Sequence, residues 1–226
     1  VAGSGVICKT MLTRSTFVLL LSIVSLAYAG KKDPYNVEFS VHLSPGKSSK
    51  FVVEVHPEWA PIGAARFKKL VTAKYFTGNR FFRVIKDYLA TFGINGDPSV
   101  SMDWANKRIQ DDPPHPEGTN KLGYISYARQ GPNSRSTVMF VNLDENVHLD
   151  EYEFRPFARV IEGLDVVKQV YSGYGEAAPK GEGPEQSVIF MVGDKYFKEK
   201  YPKLSFIKSV KIIKKKKIEA KKKEEL

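Results

Sequence analysis

Residues 37–43 alternate without a break, with Val37, Phe39, Val41 and Leu43 on one side and Glu38, Ser40 and His42 on the other. A period of two is the geometry of a strand with one buried and one wet face, so this stretch commits the chain to a sheet with a one-sided core. Ser44-Pro45-Gly46-Lys47-Ser48 follows as a turn cluster, and Phe51-Val52-Val53-Glu54-Val55 resumes an apolar strand, so the pair reads as a hairpin. Pro61 suits the first turn of a helix, Phe67, Leu70, Val71 and Lys74 continue at helical spacing, and the helix should end before Thr77-Gly78. Short β segments are predicted over residues 81–85, 88–93, 123–128, 137–142 and 157–161. A second helix fits residues 164–171, closed by Ser172-Gly173-Tyr174-Gly175, and residues 188–192 read as a late strand. Many short strands with two helices predict a mainly-β fold, a closed antiparallel barrel with helical caps. No internal repeat is visible.

The chain has 226 residues and is 42% hydrophobic, which excludes wholesale disorder and leaves room for one large domain or two small ones. Its net charge of +10 invites a nucleic-acid reading, so the position of that charge matters. Lys9 and Arg14 carry +2 at one end, nine Lys against three Glu carry +6 over residues 208–226, and the body at residues 30–207 keeps only +2. Arg14, the uncharged run at residues 17–29 and the triplet Ala27-Tyr28-Ala29 are the three parts of a secretory signal peptide over residues 1–29, with Met11 the expected initiator. The run is short of the roughly 20 apolar residues that a membrane span needs, so an uncleaved membrane anchor is the bland alternative. Cleavage after Ala29 would remove Cys8, the one cysteine, and no intramolecular disulfide is possible. The chain ends in a Lys-rich tail closing on Lys223-Glu224-Glu225-Leu226, one acidic swap from the Lys-Asp-Glu-Leu address. Together the two ends lead to an expectation of the endoplasmic reticulum lumen and a KDEL-type retrieval receptor as a partner, with plain secretion as the alternative.

Several chemistries are excluded by motif. Gly46-Lys47-Ser48 lacks the glycine that a phosphate-binding loop needs five residues earlier, because Val41 stands there. His42, His56, His115 and His148 show no ligand spacing, so no metal is expected, and no Gly-x-Ser-x-Gly elbow occurs. No nucleic-acid partner is expected of a chain directed to secretion, and no Asn-x-Ser/Thr sequon is present to report on glycosylation.

Three stretches of the body carry a resemblance. The first is Phe81-Phe82-Arg83-Val84-Ile85-Lys86-Asp87-Tyr88-Leu89-Ala90-Thr91-Phe92-Gly93-Ile94-Asn95-Gly96-Asp97-Pro98. The second is Gly131-Pro132-Asn133-Ser134-Arg135-Ser136-Thr137-Val138-Met139-Phe140-Val141-Asn142. The third runs from Leu149-Asp150 through Phe154-Arg155-Pro156-Phe157 and Val160-Ile161-Glu162-Gly163-Leu164 to Gly173-Tyr174-Gly175-Glu176. In order and spacing, over residues 35 to about 205, they resemble the cyclophilins, the barrel-type peptidyl-prolyl cis-trans isomerases. The resemblance implies a closed eight-stranded antiparallel barrel capped by two α-helices, with the substrate groove outside, since side chains fill a barrel of this size.

Rotation about an Xaa–Pro bond must break amide resonance, a barrier of about 18–20 kcal/mol. No covalent bond to the enzyme is required, so no cofactor and no metal are expected. A fixed guanidinium can stabilise the prolyl nitrogen, which pyramidalises and regains its lone pair in the twisted state, more than it stabilises the planar imide. The resemblance gives that catalytic role to Arg83. It places Tyr88, Leu89, Phe140 and Leu149 in the apolar pocket for the proline ring, and Ala128 and Arg129 where the main chain pairs with substrate. Thr91 stands where the family has a glutamine, Val138 replaces a second groove glutamine, Phe154 falls near the usual pocket histidine, and His148 replaces a groove tryptophan. Loss of such supports weakens a site more often than it abolishes it. His148 further implies weaker binding of the inhibitor cyclosporin. The expected partners are proline-containing unfolded or flexible polypeptides, bound by a monomer acting as a folding catalyst or chaperone. Two other classes stand beside this reading. One is a proline-peptide binding module with weak or no catalysis, and the other is a polybasic protein acting through its tail.

Overall fold

In the computed structural model the described residues are 33–214. The expected leader with Cys8 and Met11, and residues 215–226 with the closing Lys223-Glu224-Glu225-Leu226, lie outside them. β1 (Tyr35–Ser44) and β2 (Lys47–Val55) form the hairpin that the alternation predicts, with Phe39 opposite Phe51. The remaining strands are β3 (Arg83–Ile85), β4 (Leu89–Phe92), β5 (Tyr124–Tyr127), β6 (Met139–Asn142), β7 (Pro156–Glu162) and β8 (Phe206–Ile213). All pairings are antiparallel, and the order is β3-β4-β6-β5-β7-β2-β1-β8. The sheet curves as a half-barrel rather than showing the closed barrel that was expected. Beyond the named strands, Arg80 bridges Phe206, Gly78 N–H donates to the Ile207 carbonyl, and Phe81 N–H donates to the Ser205 carbonyl.

One face of the sheet makes the core. Phe39 stacks on Phe51 at 4.6 Å and also meets Phe67, Phe76 and Phe92 at 6.1–6.3 Å. Ala90 and Phe92 of β4, Ile125 and Tyr127 of β5, and Met139 and Val141 of β6 join the same buried cluster. Strict alternation therefore turns Leu89, Thr91, Ser126 and Phe140 to the opposite face.

Helix α1 (Pro61–Thr72) covers the core with Phe67 and Leu70. Its N-cap, Ala60, has no capping side chain. The first-turn helix donors left without an intrahelical partner are met from a distant loop instead, where Asp112 accepts the Ile62 and Gly63 N–H groups at 2.7 and 2.9 Å. Asp112 also pairs with the buried guanidinium of Arg135 at 2.9 Å.

Helix content exceeds the two expected caps. α2 (Pro98–Ala105) starts at Asp97, whose side chain accepts the Ser99 N–H at 2.8 Å, with Pro98 in the first turn. α3 (Leu164–Lys168) ends three residues before the predicted Tyr171, because the Tyr171 N–H is taken by Ser205 Oγ at 3.0 Å. The predicted strand at residues 188–192 is instead α4 (Gln186–Val192), followed by α5 (Asp194–Lys200). Its apolar run is too short for periodicity to separate strand from helix. In it Ile189 is fully buried while Met191 and Val192 are exposed. β8 continues to Ile213, past the boundary expected at residue 207, because residues 207–213 pair with β1. Among the described residues no helix is long and apolar enough to cross a membrane.

Candidate active site

β3, β4 and β6 bring the expected residues together across strands. Arg83 lies opposite Thr91, and Thr91 opposite Phe140. On this outward face Arg83, Tyr88, Leu89, Thr91, Ala128, Arg129, Phe140 and Leu149 line one pocket of about 270 Å³. His148 is exposed beside it, its ring parallel to that of Tyr88 at 6.2 Å. Leu89, Phe140 and Leu149 form a buried cluster separate from the main core, with Tyr88 and Phe154 packed against it. The apolar residues assigned to a proline pocket thus make a small hydrophobic nest of their own. Phe154 meets Phe140 edge-on at 5.5 Å and completes its wall.

Polar side chains behind the nest set its shape. Leu149 sits in a one-turn 3₁₀ helix, Val147–Asp150. The turn is pinned through Asp150, which accepts the Asn120 amide at 2.6 Å. Asn120 in turn accepts from Asn142 at 3.1 Å and from Ser126 at 2.8 Å. Asn146 Nδ2 donates to the Tyr88 carbonyl at 2.8 Å and holds the pocket rim. β4 leaves the site through Gly93, at φ +110°, where a side chain would collide with the Thr137 carbonyl.

Arg83 is half-buried and held by a forked ion pair. Its Nε donates to both carboxylate oxygens of Glu176 at 2.7 Å, and Nη2 lies 2.5 Å from Glu176 Oε2. That hydrogen bond holds the Glu176 carboxyl below its ordinary value of 4.5 against the opposing effect of burial. Arg129 is locked to the groove wall by Asp111 at 3.2 Å and Glu153 at 2.5 Å. Of the Ala128–Arg129 stretch expected to meet a substrate main chain, the Ala128 N–H already donates to the Val138 carbonyl at 2.9 Å.

The two glutamine replacements sit differently. Thr91 faces the pocket, and its buried hydroxyl has no hydrogen-bond partner among the described residues. Val138 lines the same pocket but packs into a second apolar cluster with Phe82, Ile94 and Ile189 of α4. Gln186, the first residue of α4, lines the same pocket from the far side of the sequence. Neither Gln186 nor Glu176 was anticipated as a site residue. Glu176 belongs to a motif that carries the resemblance, but nothing in its spacing says that it reaches Arg83. Among the described residues no group of three or more His, Cys, Asp or Glu could hold a metal ion. The arrangement offers an oriented cation beside an apolar hollow, which suits electrostatic stabilisation of a bound, uncharged group.

Residues 37–190 match the family model described as "Cyclophilin type peptidyl-prolyl cis-trans isomerase/CLD". A peptidyl-prolyl cis-trans isomerase of Schizosaccharomyces pombe is 31% identical over 140 residues, covering 60% of this chain and 84% of that protein. The human peptidyl-prolyl cis-trans isomerase-like 3 is 28% identical over 122 residues, covering 52% and 73% respectively. The fold is similar to that of a crystal structure of a Cryptosporidium parvum cyclophilin type peptidyl-prolyl cis-trans isomerase, with a TM-score of 0.56 at 17% identity, over 81% of this chain and all of that one.

Proposed function

The chain belongs to the cyclophilin-type peptidyl-prolyl cis-trans isomerase family, and from that membership we propose that it turns Xaa–Pro bonds at the groove built around Arg83. The observation that carries the reading is the meeting of one oriented guanidinium with the Leu89, Phe140 and Leu149 nest in a single outward pocket. The nest takes the proline ring, and Tyr88 and Phe154 bound it. Arg83 then donates to the prolyl nitrogen as it regains its lone pair. Because the planar imide offers no such acceptor, the interaction strengthens toward the transition state and lowers the barrier. Thr91, Arg129 and His148 border the substrate chain. We further propose that the bonds from residues 78–81 to residues 205–207 complete the barrel, which would hold β3 and so Arg83 in place.

The test is the purified protein against its Arg83→Ala variant, followed by cis-to-trans conversion of a proline tetrapeptide. A loss of about a hundredfold or more is expected for a fixed transition-state donor, and equal rates would overturn the mechanism. A second reading, a proline-peptide binding module, is favoured by Thr91 and Val138 in place of the glutamines. Measurable peptide affinity without rate enhancement would select it. The leader-like residues 17–29 and the closing Lys223-Glu224-Glu225-Leu226 support action on unfolded secretory chains in the endoplasmic reticulum, with retrieval by a KDEL-type receptor. Microscopy of the full chain with and without residues 223–226 tests the address, and identical distributions would overturn it.

A further inference from the structure

We infer that Glu176 is the positioning residue for Arg83, a carboxylate that does in this chain what the missing groove glutamines at Thr91 and Val138 would do. The inference rests on the isomerase reading above and deepens it. Three geometric facts carry it. First, Glu176 takes one whole edge of the guanidinium, with Nε at 2.7 Å from both oxygens and Nη2 at 2.5 Å from Oε2, while Nη1 has no partner among the described residues. A two-point contact fixes the plane of the guanidinium and not merely its distance. Second, Arg83 donates no hydrogen bond to the side chain of its cross-strand neighbour Thr91, and Val138 is an apolar residue packed under α4. Third, the loop at residues 173–184 is clasped around Glu176. The Glu176 carbonyl accepts the Gly183 N–H at 2.7 Å, Ala177 bridges Gly183, and Ala177 N–H donates to Glu176 Oε1 at 3.0 Å. A Cβ on Gly181 would collide with the Glu176 carbonyl, and one on Gly183 would crowd it as well. An ordinary surface ion pair contributes little and needs no such frame. A loop closed this tightly presents its carboxylate at one spot, and that spot is the Nε–Nη2 edge of Arg83. The Glu176 carboxyl is ionised at neutral pH, consistent with the role.

The test compares the full-chain wild type with Glu176→Ala, Glu176→Gln, Arg83→Ala and the Arg83→Ala/Glu176→Ala double variant on a proline tetrapeptide. The expected loss in kcat/KM for Glu176→Ala is about 10–100-fold, the usual effect of removing an outer partner of a functional group. The loss should fall in kcat with KM little changed, since the apolar nest is untouched. Glu176→Gln, which keeps one acceptor oxygen, should recover part of the rate. In the Arg83→Ala background, Glu176→Ala should cost nothing further. The Nε–H resonance of Arg83 in ¹⁵N NMR should move in Glu176→Gln, a change that a purely structural role of the loop would not produce. Wild-type rates in Glu176→Ala, or losses that add fully in the double variant, would overturn the positioning role and leave Arg83 catalysis standing. A faster Glu176→Ala enzyme would also overturn it, showing that Glu176 competes with substrate. Wild-type rates in Arg83→Ala would overturn the catalytic reading itself, and this role with it.

Discussion

Thr91 and Val138 depart from the family's groove pattern in two physically different ways. Val138 lines the pocket but is also buried in a cluster with Ile94 and Ile189, so its apolar side chain goes with the helix that covers it. Thr91, also on the pocket face and opposite Arg83, keeps a buried hydroxyl that nothing among the described residues satisfies. An unsatisfied buried hydroxyl is unfavourable in the free protein and available to a bound peptide. Thr91→Val keeps the shape and removes the oxygen. The variant should be more stable by about 1 kcal/mol, from the desolvation penalty it removes. It should also lose severalfold in kcat/KM, the effect of one neutral hydrogen bond of about 0.5–1.5 kcal/mol. Urea denaturation beside a peptide isomerisation assay reads both. A variant that loses stability and keeps its rate would show that the hydroxyl serves the fold. Much of the site is legible at this scale, because Arg83, Tyr88, Leu89 and Phe140 lie within short motifs whose alternation already separates the inward Val84, Ala90 and Val141 from the outward residues. Glu176 and Gln186 are not legible in this way. Glu176 reaches Arg83 and Gln186 reaches the pocket from 93 and 103 positions further along the chain than Arg83, and local pattern carries no information on where such residues land.

The elements that sequence reasoning found are those whose burial repeats with a clean period. β1 shows period two from Val37 to Leu43, and α1 keeps Phe67, Leu70 and Val71 on one face. The elements it missed carry conflicting local signals. In β8 the lysines at 208 and 211 read as the start of a solvated tail, although Ile207 is fully buried and the strand pairs with β1 from Phe206 to Ile213. α4 offers an apolar run too short to show a period, and its end is set by Gly193 at φ +61°, where a side chain would collide with the Gly96 carbonyl. Helix starts are equally uneven. α2 is capped by its own Asp97, but α1 depends on Asp112, 49 residues beyond the Gly63 it caps. Asp112 has two tasks, meeting two helix donors and balancing the buried Arg135. Asp112→Ala removes both and leaves the guanidinium with Asp111 at 3.1 Å as its remaining carboxylate. Breaking one partner of a buried pair is strongly destabilising, about 3–5 kcal/mol, and some of that is spared here by Asp111. The expected loss is therefore about 3 kcal/mol in chemical denaturation, with the isomerase rate of the folded fraction unchanged. A loss near that of an exposed cap, about 1 kcal/mol, would mean that Arg135 is satisfied without it.

Charged side chains tie the molecule together in several places at once, and their combined titration sets how the whole fold responds to pH. Glu38 of β1 is held below its ordinary 4.5 by hydrogen bonds from Lys50 of β2 and Lys211 of β8, against the opposing effect of burial. Burial pushes Glu54 of β2 up, but hydrogen bonds from Arg159 of β7 and from His56 outweigh it, and its carboxyl also ends below 4.5. Glu176 is lowered chiefly by Arg83. Each of these carboxyls binds its proton less tightly in the folded chain than in the unfolded one, so unfolding in acid takes up protons. Their contribution is fully present above 4.5 and is lost as pH falls through the lower folded values. The tyrosines act in the opposite direction. Burial raises Tyr35 and Tyr127, whose hydroxyls donate to the Ala64 and Gly63 carbonyls of α1, and a phenolate could not make either bond. Tyr201 is pushed up to about 12 from its ordinary 10.0, first by burial and then by its contact with Tyr196. Stability held by these groups is complete below 10.0 and declines as pH rises through the folded values. Together these groups predict a urea midpoint that falls as pH drops below 4.5 and falls again above 10.0, with neither set titrating in between. The acid limb should flatten in Glu54→Gln and the alkaline limb in Tyr127→Phe. A midpoint that rises as the pH drops below 4.5 would reverse the sign and show that these ion pairs do not favour the folded state.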